Sequence, residues 1–354
     1  MTTQLQMSLR SIGLYNTINK YKLITRRHKD INNAILFSYN MIESPMGEKL
    51  VQEARGIILD ENNNWEVLSR GFDKFFNYGE GNAALIDWST ASFYKKEDGS
   101  LIILSYYYGQ WRVATTGSGD AGGTLNVTNK TFAETFWEVF TQMGGSLENL
   151  DQNHCYLFEL CTPYNKIVVS HKDSSLTLLS IRAKDGQFQP RTPGIAGSIP
   201  WVQKFDLSDI HAALKSFDSF DGSSMEGYVI EDANHNKIKV KHPGYVALHH
   251  FMDHKLTSQI KLLDIVLHGE VSEVITYFPE YAKDFQDLED RLNCFELNLD
   301  LQYQIYKGIE TQKEFALAIK DNKYKSCLFL MRKNQCSVKD ILKIMPLSHI
   351  NDLI

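Results

Sequence analysis

No run of apolar residues in this chain approaches the ~18 that a membrane-spanning helix needs, and its first residues carry no apolar stretch behind their few charges. The expectation is a soluble, cytoplasmic protein with no membrane partner. Cysteine is scarce. Five residues (Cys155, Cys161, Cys294, Cys327, Cys336), odd in number and without C-x-x-C spacing, give neither a disulfide framework nor a zinc knuckle, and buried reduced thiols are expected. Histidine pairs of the H-E-x-x-H kind are missing, and the single cluster, His249, His250 and His254, reads as a histidine-rich helix end rather than a metal site. There is no internal repeat. A surplus of positive charge is lacking too: 37 basic against 43 acidic residues leave −6, so any contact with nucleic acid must rest on local patches.

What is present is an ordinary globular composition, 43% apolar and 23% charged over 354 residues, enough for about two domains with their own cores. Strand signals dominate up to about residue 250. They cover residues 35–39, 56–59, 65–69, 101–108, 111–116, 156–161, 167–170, 176–181, 228–231 and 237–241, with hairpin turns at Gly109-Gln110 and Asn234–Asn236. One helix stands between them, over 131–143, where Thr131 and Glu134 form a capping-box pattern. From Tyr281 to Tyr306 apolar residues recur every three or four positions, which predicts a long amphipathic helix, and Ser337 predicts an N-cap. The boundary is expected between Leu248 and Leu256. The fold class is therefore α+β: an antiparallel-sheet domain over 1–250 and an all-α domain over 251–354.

The chemistry-bearing pattern is K-x-D-G at Lys96 to Gly99, weak alone. Around it lie Glu53-Ala54-Arg55-Gly56 and Lys74-Phe75-Phe76-Asn77 upstream, then Phe158-Glu159, Glu226-Gly227 and Lys239-Val240-Lys241 downstream. A lysine amine attacks phosphorus only when it has lost its proton, and free lysine is almost wholly charged at neutral pH. Positive neighbours ease that loss. Lys239 and Lys241, alternate residues of one strand, are placed to share a pocket with Lys96, while Lys95 is expected on the opposite face. Glu159 and Glu226 sit in apolar strands where an unpaired carboxylate is costly, and their hard oxygens suit Mg2+ or Mn2+. The glycine-rich loop 117–123 lacks a G-K-[ST] ending and reads as a connector. Basic clusters over Lys20–Lys29 and Lys320–Lys343 are helix faces or RNA contacts.

In order and spacing, these motifs resemble those of the covalent nucleotidyltransferases, an ATP-grasp-like ligase fold, and within them the ATP-dependent RNA ligase 1 family typified by the T-even phage tRNA-repair enzyme. Phe37-Ser38-Tyr39-Asn40, E-x-R-G-I from Glu53, K-F-F-N from Lys74, K-E-D-G-S-L and Tyr245–His249 carry the resemblance. It implies an enzyme that joins RNA 5′-phosphate and 3′-hydroxyl ends through lysyl-AMP on Lys96 and 5′-adenylylated RNA. ATP and a divalent cation are required, and the enzyme is a monomer in the cytoplasm, the host's if it is viral. By the same resemblance Tyr39, Arg55, Lys74, Phe76, Glu97, Gly99, Glu159, Glu226, Lys239 and Lys241 bind the nucleotide, with Glu159 and Glu226 as metal carboxylates. The helical domain is implied to favour broken tRNA. One departure stands out: a lysine of the family is Thr116 here, with Arg112 or Lys130 as candidate replacements. The alternatives are an RNA-break-binding protein with reduced catalysis, and a DNA ligase or capping enzyme. The latter two follow their last motif with an OB barrel rather than helices.

Overall fold

A computed structural model describes residues 2–125, 128–165, 167–251 and 259–354. The chain divides into two compact units, Met1–His249 and His250–Ile354. Part of the expected boundary, 252–256, lies outside the described residues, as does His254 of the histidine cluster. Among the described residues no helix is long and apolar enough to cross a membrane.

The first unit opens with α1 (Gln4–Tyr21), capped by Thr3 and interrupted at Gly13. A four-stranded antiparallel meander follows: β1 (Leu23–Arg27), β2 (Ala34–Tyr39), β3 (Arg55–Asp60, reached through the short α2, Lys49–Glu53) and β4 (Glu66–Ser69). Next come β5 (Phe76–Asn77), β6 (Ser92–Lys96), β7 (Ser100–Tyr107), β8 (Gln110–Ala114), α3 (Phe132–Gln142), β9 (His154–Cys161), β10 (Ser175–Ala183), β11 (Lys204–Phe205), α4 (Ile210–Ser216), β12 (Gly227–Glu231), β13 (Lys237–Lys241) and α5 (Pro243–Phe251). They form a second sheet, β10-β9-β7-β8, and a third, β11-β6-β12-β13-β5. All ladders are antiparallel except β13 with β5.

The third sheet shows why a cavity forms. Phe93, Tyr228, Ile230, Ile238 and Val240 turn to one face and pack with Ile210 and Ala213 of α4 and with Phe217, which follows it. The period of two then sends Tyr94 and Lys96, Val229 and Glu231, and Lys237, Lys239 and Lys241 to the other face. The second sheet is built the same way, with Phe136, Val139 and Phe140 of α3 packing on Ile102, Leu104, Tyr156 and Phe158. Thr131 caps α3 with the full box.

Residues 167–170 are not a strand. The amides of Val168 and Val169 donate instead to the Asp98 carboxylate, at 3.0 and 2.7 Å, so they are unavailable to a ladder. α1 lies where no element was expected and β1 falls within the Lys20–Lys29 basic cluster, whose members are dispersed: Arg27 pairs with Glu61 at 2.7 Å while Arg26 donates to the Gly117 carbonyl.

The second unit is helical: α6 (Gln259–His268), α7 (Val271–Tyr277), α8 (Ala282–Tyr306), α9 (Gln312–Ala318), α10 (Lys325–Asn334), α11 (Val338–Ile344) and α12 (Leu347–Leu353). Phe285, Leu288, Leu292, Phe295 and Leu299 of α8 form the spine of its core. Ser337 caps α11. Cys155, Cys161 and Cys327 are buried free thiols and Cys336 half-buried; Cys294 is the exception, exposed on α8 because it lies off that spine.

Candidate active site

A cavity of about 450 Å³ lies on the open face of the third sheet, walled also by Glu159 of β9, Leu179 of β10, Arg55 of β3 and the Thr115-Thr116 exit of β8. Lys96 ends β6 opposite Gly227, and Lys241 of β13 pairs with that same glycine. This register brings the two lysines to one carboxylate. Glu226 Oε2 accepts from Lys96 Nζ at 2.6 Å, and its Oε1 lies 3.5 Å from Lys241 Nζ. Lys239 borders the cavity one step deeper. Lys95 also borders it, contrary to the strict alternation, because β6 stops at Lys96 and the chain turns through Glu97, which holds the Lys95 amine at 2.8 Å.

Glu159 lies beneath. Its Oε1 accepts from the Gly99 amide at 3.2 Å. Burial pushes its carboxyl up to about 8 against the pull of Lys96 and Arg55, and the Glu226 charge adds to the rise. A Cβ on Gly99 would stand 2.5 Å from the Leu160 carbonyl, so this glycine serves the contact of loop with strand. Arg55 leaves Nη1 buried without an acceptor, which a bound phosphate or ribose oxygen would satisfy. The next residue, Gly56, holds φ +78°, and a Cβ there would lie 2.6 Å from the Thr116 Cα.

The expected residues Arg55, Lys96, Glu97, Gly99, Glu159 and Lys239 thus line one cavity, with Glu226 and Lys241 bonded at its edge. Tyr39, Lys74 and Phe76 lie outside its wall; the Lys74 ammonium sits over the rings of Tyr39 and Phe76, at 4.9 and 5.2 Å. Neither Arg112 nor Lys130 lines the cavity: Arg112 lies over the Tyr107 ring, and Lys130 pairs with Glu138 at 2.6 Å. The cation beside Thr116 is Arg26, through Gly117. The sequence left Asp98 without a role. It is 3% exposed and takes five contacts: the Val168 and Val169 amides, the Tyr245 hydroxyl at 2.7 Å and, through its own carbonyl, His171 at 2.8 Å and the Cys161 thiol at 3.8 Å. It clamps the loop that follows Lys96.

The model of the RNA ligase family matches residues 53–245, more than half of the chain. The chain belongs to the RNA ligase family. An RNA ligase of Rhodothermus phage RM378 is 27% identical over 352 residues, 78% of this chain and 80% of its own. A protein of Autographa californica nuclear polyhedrosis virus, provisionally named a bifunctional polynucleotide kinase/RNA ligase, is 25% identical over 91% of this chain and 48% of its own, so the chain spans about half of that relative. An archaeal ATP-dependent RNA ligase structure aligns at 12% identity over 84% of this chain and 83% of its own, with a TM-score of 0.46.

Glu159 gives this RNA ligase family member a measurable pH signature. A carboxyl raised from 4.5 to about 8 keeps its proton in the folded protein while the unfolded chain has lost it, so stability falls as pH rises across that interval. In metal-free protein, Glu159→Gln is expected to melt close to wild type at pH 4 and above it at pH 9. Thermal unfolding in EDTA across that range reads the difference; a gap independent of pH would contradict it.

Proposed function

We propose that the protein is an ATP-dependent RNA ligase working through lysyl-AMP. The observation that carries this reading is the Lys96 amine, held at 2.6 Å on Glu226 in the wall of a cavity that also presents Lys239, Glu159 and the unsatisfied Arg55. Lys96 Nζ, freed of a proton, attacks the α-phosphorus of ATP; the P–N bond forms and pyrophosphate leaves. An oxygen of an RNA 5′-phosphate then displaces the lysine, and a 3′-hydroxyl displaces AMP to leave the new phosphodiester. Arg55, Lys239 and Lys241 bind and neutralise the phosphates. Glu226 and Glu159 would hold a divalent cation, a fit that two carboxylates completed by phosphate oxygens and water provide. Such a cation supplies neutralisation of the triphosphate. Among the described residues no three acidic, histidine or cysteine side chains converge as a self-sufficient metal cage, in keeping with a cation shared with the nucleotide.

The helical unit carries none of these groups. We assign it to the choice of a structured RNA such as a nicked tRNA, supported by its basic stretch from Lys320 to Lys343. The decisive experiment is incubation of the full chain with α-labelled ATP and Mg2+, followed by denaturation. Acid-labile label on the protein, chased into RNA bearing a 5′-phosphate and a 3′-hydroxyl, is expected. Protein that stays unlabelled would overturn the reading.

A further inference from the structure

A second cavity, of about 180 Å³, adjoins the first, and the two share walls at Phe72, Phe75 and Lys237. Its lining is cationic. Lys49, Lys74, Arg182 and Lys237 line it with one carboxylate, Asp73, which Lys49 and Arg182 hold at 2.7 and 2.8 Å. Even with Glu231 taking Lys237 at 2.8 Å, four cations stand against two carboxylates.

The neighbouring segment carries exposed rings. Tyr78 and Trp88, 41% and 37% exposed, meet edge to face at 6.3 Å, while Asn82 and Ala84 between them line the second cavity. The Tyr78 amide donates to the Lys239 carbonyl at 2.8 Å, so this lip is tied to the strand that borders the lysine pocket. A cationic hollow beside exposed rings is what a single nucleic-acid strand uses: ammonium groups for its phosphodiesters and π faces for its bases. A triphosphate would use the hollow alone and leave the rings idle.

We propose that this second cavity and the Tyr78–Trp88 lip bind the RNA strand at the end being sealed, with a backbone phosphate in the hollow and bases against the rings. This rests on the RNA ligase reading. The test compares Lys49→Ala, Trp88→Ala and Trp88→Phe in the full chain. With pre-adenylylated RNA and no ATP, KM should rise about tenfold in each alanine variant and stay near wild type in Trp88→Phe, with kcat little changed. Lys49→Ala should also flatten the dependence of log KM on log salt by about 0.7. Labelling of the protein by ATP should match wild type in all three. Slower labelling with an unchanged KM for RNA would give the hollow to the triphosphate instead; no change in either would leave it without a substrate. Wild-type protein that neither labels nor seals would sink the ligase reading itself. Binding of a fluorescent 5′-phosphorylated RNA strand, weakened or not in the same alanine variants, would still decide the strand site.

Discussion

Lys96→Ala is expected to abolish transfer of label from ATP to the protein, a fall of about 10⁴-fold or more, as loss of a nucleophile does elsewhere. Lys95→Ala should keep most of the labelling, since the Lys95 amine is engaged by Glu97 while that of Lys96 reaches Glu226. The same Lys96→Ala protein should still join RNA that is already 5′-adenylylated, because the last step uses no amine nucleophile. That split separates a lost nucleophile from a lost fold. Acid-labile label on Lys96→Ala would place the attachment elsewhere.

Glu226→Ala should slow labelling by about 10² to 10³-fold and raise the Mg2+ concentration needed for half-maximal rate. The carboxylate is 4% exposed and holds two ammonium groups, so its removal leaves Lys96 and Lys241 facing each other as like charges. Some loss of stability is therefore expected, and Glu226→Gln, which keeps shape and hydrogen bonding, should recover much of it without recovering the rate. Labelling rates titrated with Mg2+, alongside thermal unfolding, distinguish the two effects. A variant whose rate falls only as far as its stability, with unchanged Mg2+ dependence, would make Glu226 a strand-edge ion pair and no more.

Local rules explain what was legible in the sequence. Lys237-Ile238-Lys239-Val240-Lys241 alternates with period two, and the structure puts its lysines on one face and its apolar residues on α4. The capping box at Thr131 and the apolar spine of α8 were legible for the same reason. α1 was hidden because its apolar residues form no sustained stripe and Gly13 breaks it. Residues 167–170 looked like a strand by composition, yet a carboxylate some seventy positions earlier claims two of their amides. Arg191, whose guanidinium lies 3.9 Å over the Tyr94 ring and also pairs with Glu231, joins the cavity wall from a segment with no motif at all. Local patterns report which face a residue takes; they do not report which distant loop will meet it.

The contacts at Gly56 and Gly99 bear on how such a site can change over generations. At both places one backbone rests on another with only a hydrogen between, since a methyl would come within 2.6 Å of Thr116 Cα or 2.5 Å of the Leu160 carbonyl. The spacing between these walls is thus closed to adjustment by side-chain exchange. Variation is left to the inner lining, at positions such as Leu179, Val202 and Val229, and to the cations around the rim, where threonine at 116 coexists with an arginine arriving from β1. A library aimed at a different nucleotide base would sample usable shapes at those lining positions and mostly broken ones at the two glycines.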